Sequence, residues 1–264
     1  MLRVSNLRTG YDKKEVVHGA DFTVENGNFT CIIGANGCGK TTALKGILGL
    51  LPLFAGTVSV DGADIIDAGA GHVAPARERA KIFAYIPQVH SLPFPFLVSD
   101  VVLLGRTPHL ASSVAGPSDT DKIAAYHALE TLGIESIAKS VYTELSGGQQ
   151  QLVLIARALA QQPRVLIMDE PTASLDYGNQ QMVLQRLRAL GRGGMSIIMV
   201  THDPHHVLLC ADTVIVMQDG VIRRVGTPEE TVTAEMLCEI FGVRALVTSV
   251  HMQNGEDRKT VVPL

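Results

Sequence analysis

Gly34-Ala35-Asn36-Gly37-Cys38-Gly39-Lys40-Thr41 follows directly on the apolar run Phe29-Thr30-Cys31-Ile32-Ile33, and the helix-compatible stretch Thr42 to Leu50 comes next. The motif satisfies G-x-x-x-x-G-K-[ST], and strand, loop, helix is the order that pattern needs. Glycines let the backbone curl until successive N–H groups point inward at phosphate oxygens, and the helix N-terminus adds partial positive charge. Lys40 is placed to reach β- and γ-phosphates, and the Thr41 hydroxyl to ligate Mg²⁺. A glycine-rich turn with an incidental lysine is the bland alternative. The strand before and the helix after argue against it.

A second element lies far downstream. Val165-Leu166-Ile167-Met168-Asp169-Glu170 is an apolar strand ending in two carboxylates. An acid at the carboxyl end of a strand sits where open α/β sheets bind ligands. Asp169 is expected to hold Mg²⁺ through its water shell, and Glu170 to orient and deprotonate the water attacking a γ-phosphate. Adjacent strand residues point to opposite faces, so the two acids are expected to have separate roles. The pair of elements describes a protein that binds and hydrolyses a nucleoside triphosphate.

Around these elements the chain reads as a wound α/β core. Phe29–Ile33, Ile82–Ile86, Val165–Met168, Ser196–Val200 and Val214–Met217 are continuous apolar runs, the signature of parallel strands covered on both faces. A helix is expected from Asn179 to Leu190. The first sixty residues alternate instead, as in Val16–Val24 and Gly56–Val60, which predicts an antiparallel edge subdomain. Asp219-Gly220 between two apolar pairs is a hairpin signal. From about 99 to 162 the pattern is helical, with one helix beginning over Asp100–Leu104, a second over Asp119–Leu132 and a third over Gly147–Ala160. Leu152, Ile155 and Leu159 form a core stripe on the third. Asp67–Pro75 reads as a loop. After Gly226 come two short helices and then Leu246-Val247-Thr248, a final strand in a tail, residues 243–264, expected to pack on the core of a 1–242 domain.

At 264 residues and 46% hydrophobic content, the chain can bury a large core without staples. The greasiest stretch, Gly46–Val60, is short of the roughly 20 apolar residues a spanning helix needs and is broken by Gly49, Pro52 and Gly56. Met1-Leu2-Arg3-Val4-Ser5 starts directly on a strand-like alternation, so no secretory leader is expected. Cys31, Cys38, Cys210 and Cys238 form no CxxC pair, which suits a reducing cytoplasm. A net charge of −4 and a pI near 6.1 argue against a nucleic-acid surface.

Leu145-Ser146-Gly147-Gly148-Gln149 lies some twenty residues before the acidic strand and resembles the signature motif of ABC-type ATPases. The rest of that family's set follows the same order, from about Leu2 to Gly242. The resemblance implies the P-loop, mostly parallel ABC ATPase fold, and ATP with Mg²⁺ as cofactors. Tyr11 matches the aromatic that stacks on adenine, and Gly34, Asn36, Gly37, Cys38, Gly39, Lys40, Thr41 and Thr42 hold phosphate. Gln88 matches the glutamine linking core and helical insert, and is assigned to Mg²⁺ with Thr41 and Asp169. Asp176 in Ser174-Leu175-Asp176 matches the D-loop, and His202 the switch histidine at the γ-phosphate. Lys40, Gln88, Glu170 and His202 form the catalytic set. The resemblance also implies a two-fold homodimer in which Ser146, Gly147, Gly148 and Gln149 of one copy close on the ATP of the other.

Each of these has a local alternative. Ser146 opens a helix and serves equally as an ordinary cap. His202 and His206 are spaced i, i+4 like metal ligands, but no full ligand set accompanies them. Gln150 and Gln151 stand where many relatives carry an arginine, and Arg157 is the basic residue the helix keeps. Cys38, beside Lys40 and a helix start, reads equally as a reactive thiol with a depressed pKa or as a small filler residue.

A separate ATPase chain resembles prokaryotic importer subunits, located at the cytoplasmic face of the membrane with integral permease subunits and, indirectly, a substrate-binding protein. Phe94-Pro95-Phe96 and Val101–Leu110, containing Gly105-Arg106-Thr107-Pro108-His109, resemble the iron-chelate, cobalamin and haem uptake group. Iron(III)-siderophore is the first expectation, with cobalamin, haem or molybdate as alternatives. Leu92, Phe94, Phe96 and Leu97 are expected to line a groove for the permease. A soluble ABC ATPase acting on ribosomes or DNA is the rival class. It usually carries two cassettes or a long coiled coil, and this chain has neither.

Overall fold

The computed structural model describes residues 1–88, 94–110, 116–251 and 257–264. In chain order the elements are β1 (Leu2–Tyr11), β2 (Lys14–Val24), β3 (Phe29–Ile33), α1 (Lys40–Ile47), β4 (Leu53–Val60), β5 (Ala63–Asp67), β6 (His72–Val73), α2 (Ala76–Ile82), β7 (Phe83–Ile86), α3 (Val98–Leu103) and α4 (Asp119–Leu132). They continue with α5 (Gly147–Ala160), β8 (Val165–Asp169), α6 (Tyr177–Arg192), β9 (Ser196–Thr201), α7 (Pro204–Cys210), β10 (Thr213–Gln218), β11 (Val221–Gly226), α8 (Pro228–Thr231), α9 (Ala234–Phe241), β12 (Ala245–His251) and β13 (Asp257–Pro263). Two compact units result, one of Met1–Val73 with Gly191–Leu264 and one of Ala74–Leu190.

In the first unit, β2, β1, β4, β5 and β6 form an antiparallel sheet. Leu2, Val4 and Leu7 of β1 are buried while Arg3 and Arg8 face water. Its register shifts after Ser5, where Asn6 takes φ 47 against Gly56 at φ 97. A Cβ on Gly56 would lie 2.3 Å from the Asn6 carbonyl oxygen, so the bulge admits only glycine there. The same unit holds β10, β3 and β9 in parallel, with β11 antiparallel to β10. Every residue of β3 and β9 is buried, as their unbroken apolar runs require. Asp219 (φ 49) and Gly220 (φ 76) make the β10–β11 turn, both left-handed as a two-residue hairpin demands. The tail forms the β12–β13 hairpin, with Val261 buried and accepting from the His205 Nε2 ring nitrogen at 3.1 Å.

The second unit pairs β7 with β8 in parallel and adds the helices α2 to α5. Helix α4 is closed at both ends: Ser118 and Asp121 form a capping box, and Gly133 stops it at φ 66. Helix α5 departs from the single stripe expected. Leu152, Val153, Leu154, Ile155, Ala156, Ala158 and Ala160 are all buried. A helix apolar on every side is a central one, packed here by α3 and α4.

Other local expectations shift. Ile82 ends α2 rather than beginning a strand, and the Asp67–Pro75 loop contributes the short β6, paired to Ile66 and Asp67. Helix α1 starts at Lys40 and stops at Ile47, because Gly39 and Gly49 adopt left-handed φ on either side. Strand β13 has a polar, proline-ended sequence and is made by its pairing with β12. Among the described residues no helix is long and apolar enough to cross a membrane.

Candidate functional site

In the first unit, β3 runs straight into the glycine loop. A Cβ at Gly34 would lie 2.1 Å from the Met217 carbonyl oxygen, so a side chain there would drive the loop off β10. Gly37 (φ 79) and Gly39 (φ 104) are left-handed, which curls the chain just before α1. No side chain caps that helix, so the amides of its first turn have no intrahelical acceptor. The Lys40 ammonium is buried within the loop, donating to the carbonyls of Gly34 at 2.8 Å and Ala35 at 2.9 Å. The β10–β11 turn braces the loop from the far end of the chain, with Gly220 N–H donating to the Cys38 carbonyl at 2.9 Å.

His202 stands beside this cradle. Ile33 and Thr201 are opposite each other in the β3–β9 ladder, so Gly34 and His202 leave adjacent strands at the same level. His206 is otherwise engaged, 3.2 Å from the Thr201 hydroxyl and 3.4 Å from Asp203. Among the described residues no cluster of His, Cys, Asp and Glu has metal-holding geometry. Tyr11, half exposed at the end of β1, has the Lys45 ammonium 5.8 Å from its ring centre and 3.4 Å from its hydroxyl.

The second unit carries the acids. β8 is buried throughout and ends at Asp169, which is 2% exposed. Glu170 is not the next residue of that strand: its φ of 49 turns the chain away. The alternation expected to separate the two carboxylates therefore does not apply. A left-handed turn, a strained conformation for a glutamate, separates them instead. Gln88, two residues past β7, donates its amide to Glu170 Oε2 at 3.0 Å.

Also in this unit, Ser146 Oγ accepts from Gln149 N–H at 3.3 Å while Gln149 Oε1 accepts from Ser146 N–H at 3.1 Å, a closed capping box on α5. A Cβ on Gly148 would meet Asn179 Oδ1 at 2.3 Å. The Asn179 amide is in turn held by Asp176 Oδ2 at 2.8 Å, and its N–H by Asp176 Oδ1 at 2.9 Å. Asp176 thus caps α6 and, through Asn179, walls the signature glycines.

A family model described as ABC transporter matches residues 17–173. The chain belongs to the ABC transporter family. It is 36% identical over 250 residues to the hemin import ATP-binding protein of Jannaschia sp. (strain CCS1), covering 92% of this chain and 87% of that one. It is 34% identical over 249 residues to the iron(3+)-hydroxamate import ATP-binding protein of Bacillus subtilis (strain 168), covering 94% and 90%. A solved structure described as a metal-chelate type ABC transporter, in an inward-facing conformation, superimposes with a TM-score of 0.85 and 30% identity over 100% of this chain and 97% of that one. As an ABC ATPase, the chain binds and hydrolyses ATP.

One expectation about this ABC chain changes. Burial pushes the Cys38 thiol above its ordinary value, outweighing the nearby Lys40 ammonium and backbone N–H groups that pull it down. The reading of a reactive thiolate is therefore withdrawn. Leu92 lies outside the described residues, while Phe94, Phe96 and Leu97 are exposed, the two rings edge-to-face at 5.9 Å. Three participants were read along the chain only as parts of a strand, a hairpin turn and a helix, and not as members of this site: Met217, Gly220 and Asn179. Asn179 had a faint signal, since Asp-x-x-Asn is a capping spacing. Met217 and Gly220 had none, being brought to the loop only by strand pairing.

Proposed function

We propose that this chain is the ATPase of an ABC importer, powering uptake of a metal chelate through a separate membrane permease, with iron(III)-siderophore as first cargo. The hemin and iron-hydroxamate relatives support the import reading and the chelate class. The observation that carries the coupling is the Gln88–Glu170 hydrogen bond. Gln88 opens a segment whose exposed Phe94, Phe96 and Leu97 suit an apolar helix of a partner. A partner seated there acts on the chain segment that begins at Gln88, whose amide holds the catalytic carboxylate.

The site residues take the following roles. The loop amides from Gly34 to Thr42 and the Lys40 ammonium hold the triphosphate, and Tyr11 stacks on the base. Hydroxyl, amide oxygen and carboxylate are hard donors suited to Mg²⁺, so Thr41, Gln88 through its Oε1, and Asp169 would hold that ion. When bound it neutralises charge on the β- and γ-oxygens. Glu170 accepts the proton of the attacking water, and the Gln88 amide orients its carboxylate. His202 faces the γ-phosphate. Ser146, Gly147, Gly148 and Gln149 of a second copy, with Asp176, close the other side in a homodimer. Residues 99–162 carry the resulting motion towards the permease, and 243–264 brace the ATPase core, all at the cytoplasmic face of the membrane.

Glu170→Gln is expected to keep ATP binding, lower turnover by about 10²–10⁴, and trap a dimer seen by gel filtration in Mg-ATP. A variant that turns over near the wild-type rate removes Glu170 as the base. Cargo is tested by reconstituting the chain with its permease and binding protein in liposomes. Ferric siderophore should stimulate ATP hydrolysis where haem, cobalamin, molybdate and manganese do not.

A further inference from the structure

Gly105-Arg106-Thr107-Pro108-His109 turns its polar groups onto the carboxyl end of α5. Arg106 is 5% exposed. Its Nη1 donates to the Ala160 carbonyl at 2.7 Å and to Gln162 Oε1 at 2.9 Å, and its Nε donates to Asp121 Oδ1 at 2.9 Å. His109 Nε2 lies 2.8 Å from the Gln161 carbonyl. A Cβ on Gly105 would stand 2.1 Å from the Arg157 carbonyl oxygen, so the segment presses on the last turn of the helix. The final carbonyls of a helix lack intrahelical partners and carry partial negative charge. A buried guanidinium and an imidazole answer both needs. Asp121 is fixed in turn by the Ser118 hydroxyl at 2.6 Å, tying the start of α4 into the same knot.

The knot continues to the catalytic loop. Gln161, the residue after α5, donates its amide to the carbonyls of Phe83, at 2.7 Å, and Ala80. Phe83 begins β7, and β7 leads to Gln88, which holds Glu170. Ser146 caps the opposite end of α5, about 21 Å away along a fourteen-residue helix. We infer that Arg106 is a positioning residue for ATP hydrolysis: by holding the last turn of α5, whose next residue Gln161 is bonded to the start of the strand leading to Gln88, it sets how far the serine end projects toward the nucleotide of a second copy. This rests on the homodimer proposed above. The role needs three directional bonds from one planar fork, which lysine cannot reproduce.

The test uses the full chain, with Arg106→Lys, Gln161→Leu and Gln162→Ala made in the wild-type and Glu170→Gln backgrounds. Arg106→Ala is avoided because it strands the Asp121 carboxylate in a buried site. Misplacing a reacting group by an ångström costs about a hundredfold. Arg106→Lys and Gln161→Leu should therefore lower kcat by about tenfold or more while ATP binding by the dilute chain stays within about twofold. In the Glu170→Gln background both should need higher protein concentration to form the ATP-trapped dimer. Gln162→Ala, which loses one bond, should show the same split more weakly. If Arg106→Lys does not fold, Gln161→Leu decides. The inference is overturned if the folded variants keep kcat within about twofold of wild type, or if kcat and ATP affinity fall in parallel. A Glu170→Gln parent that never dimerises with ATP sinks the sandwich first, before any clamp variant is compared, and takes the clamp with it.

Discussion

Two helices of this chain begin at residues expected to face phosphate, and they begin in opposite ways. Helix α1 follows Gly39 in a left-handed conformation, with no side-chain cap and with Lys40 folded into the loop beneath it. Helix α5 follows Ser146, whose side chain and backbone are both satisfied by Gln149. An uncapped terminus beside a buried ammonium gains most from an external anion. A terminus already closed by its own capping box is stable alone, and offers phosphate only the Ser146 hydroxyl proton and the amides ahead of Gln149. In the proposed function, this contrast suits nucleotide capture at α1 and a later, closing contact at α5.

Lys40→Ala attacks the open end directly. A hydrogen bond to a charged group contributes about 1.5–3 kcal/mol, so ATP affinity measured by calorimetry should fall about 10- to 100-fold. Unchanged affinity would dissolve the contrast.

Ser146→Asp sharpens it from the other side. Aspartate caps a helix about as well as serine, so thermal stability should hold within about 0.5 kcal/mol. A carboxylate facing phosphate should nonetheless lower dimer-dependent hydrolysis about tenfold or more, by repulsion together with the lost donor, with ATP binding by the single chain unaffected. If turnover survives in this variant, α5 is capped and nothing more.

The smallest effect concerns Cys38, at the edge of the open cradle. Its buried thiol, raised from its ordinary value, is mostly protonated at neutral pH. Alkylation there should be slow at pH 7 and accelerate only above the pH range in which an ordinary cysteine thiol ionises. Rapid labelling at pH 7 would show that the loop opens more than the bonds of Lys40 and Gly220 imply.

Much of this was legible along the chain because its causes are local. The glycine loop, the capped helices Asp119–Leu132 and Gly147–Ala160, and the Asp219-Gly220 turn all sit where their own residues dictate. Caps and left-handed turns are written in neighbours two to four residues apart. The acids were legible as well, but not their geometry. Alternation along β8 implied one arrangement, and the left-handed Glu170 produced another. Strand β13 and helix α2 had weak patterns because pairing and packing, not composition, hold them in place.

By itself, then, the amino-acid order determined the chemistry available: a loop able to bind phosphate, two carboxylates at a strand end, and a serine-led helix with its own cap. Only the tertiary structure decided the partners of those groups. It placed the Met217 carbonyl over Gly34, Gly220 on Cys38, Gln88 on Glu170, and Arg106 on the end of α5. Each of these contacts joins residues far apart in sequence. Their geometry follows from strand register and helix packing, which are settled when the whole core is buried together rather than residue by residue.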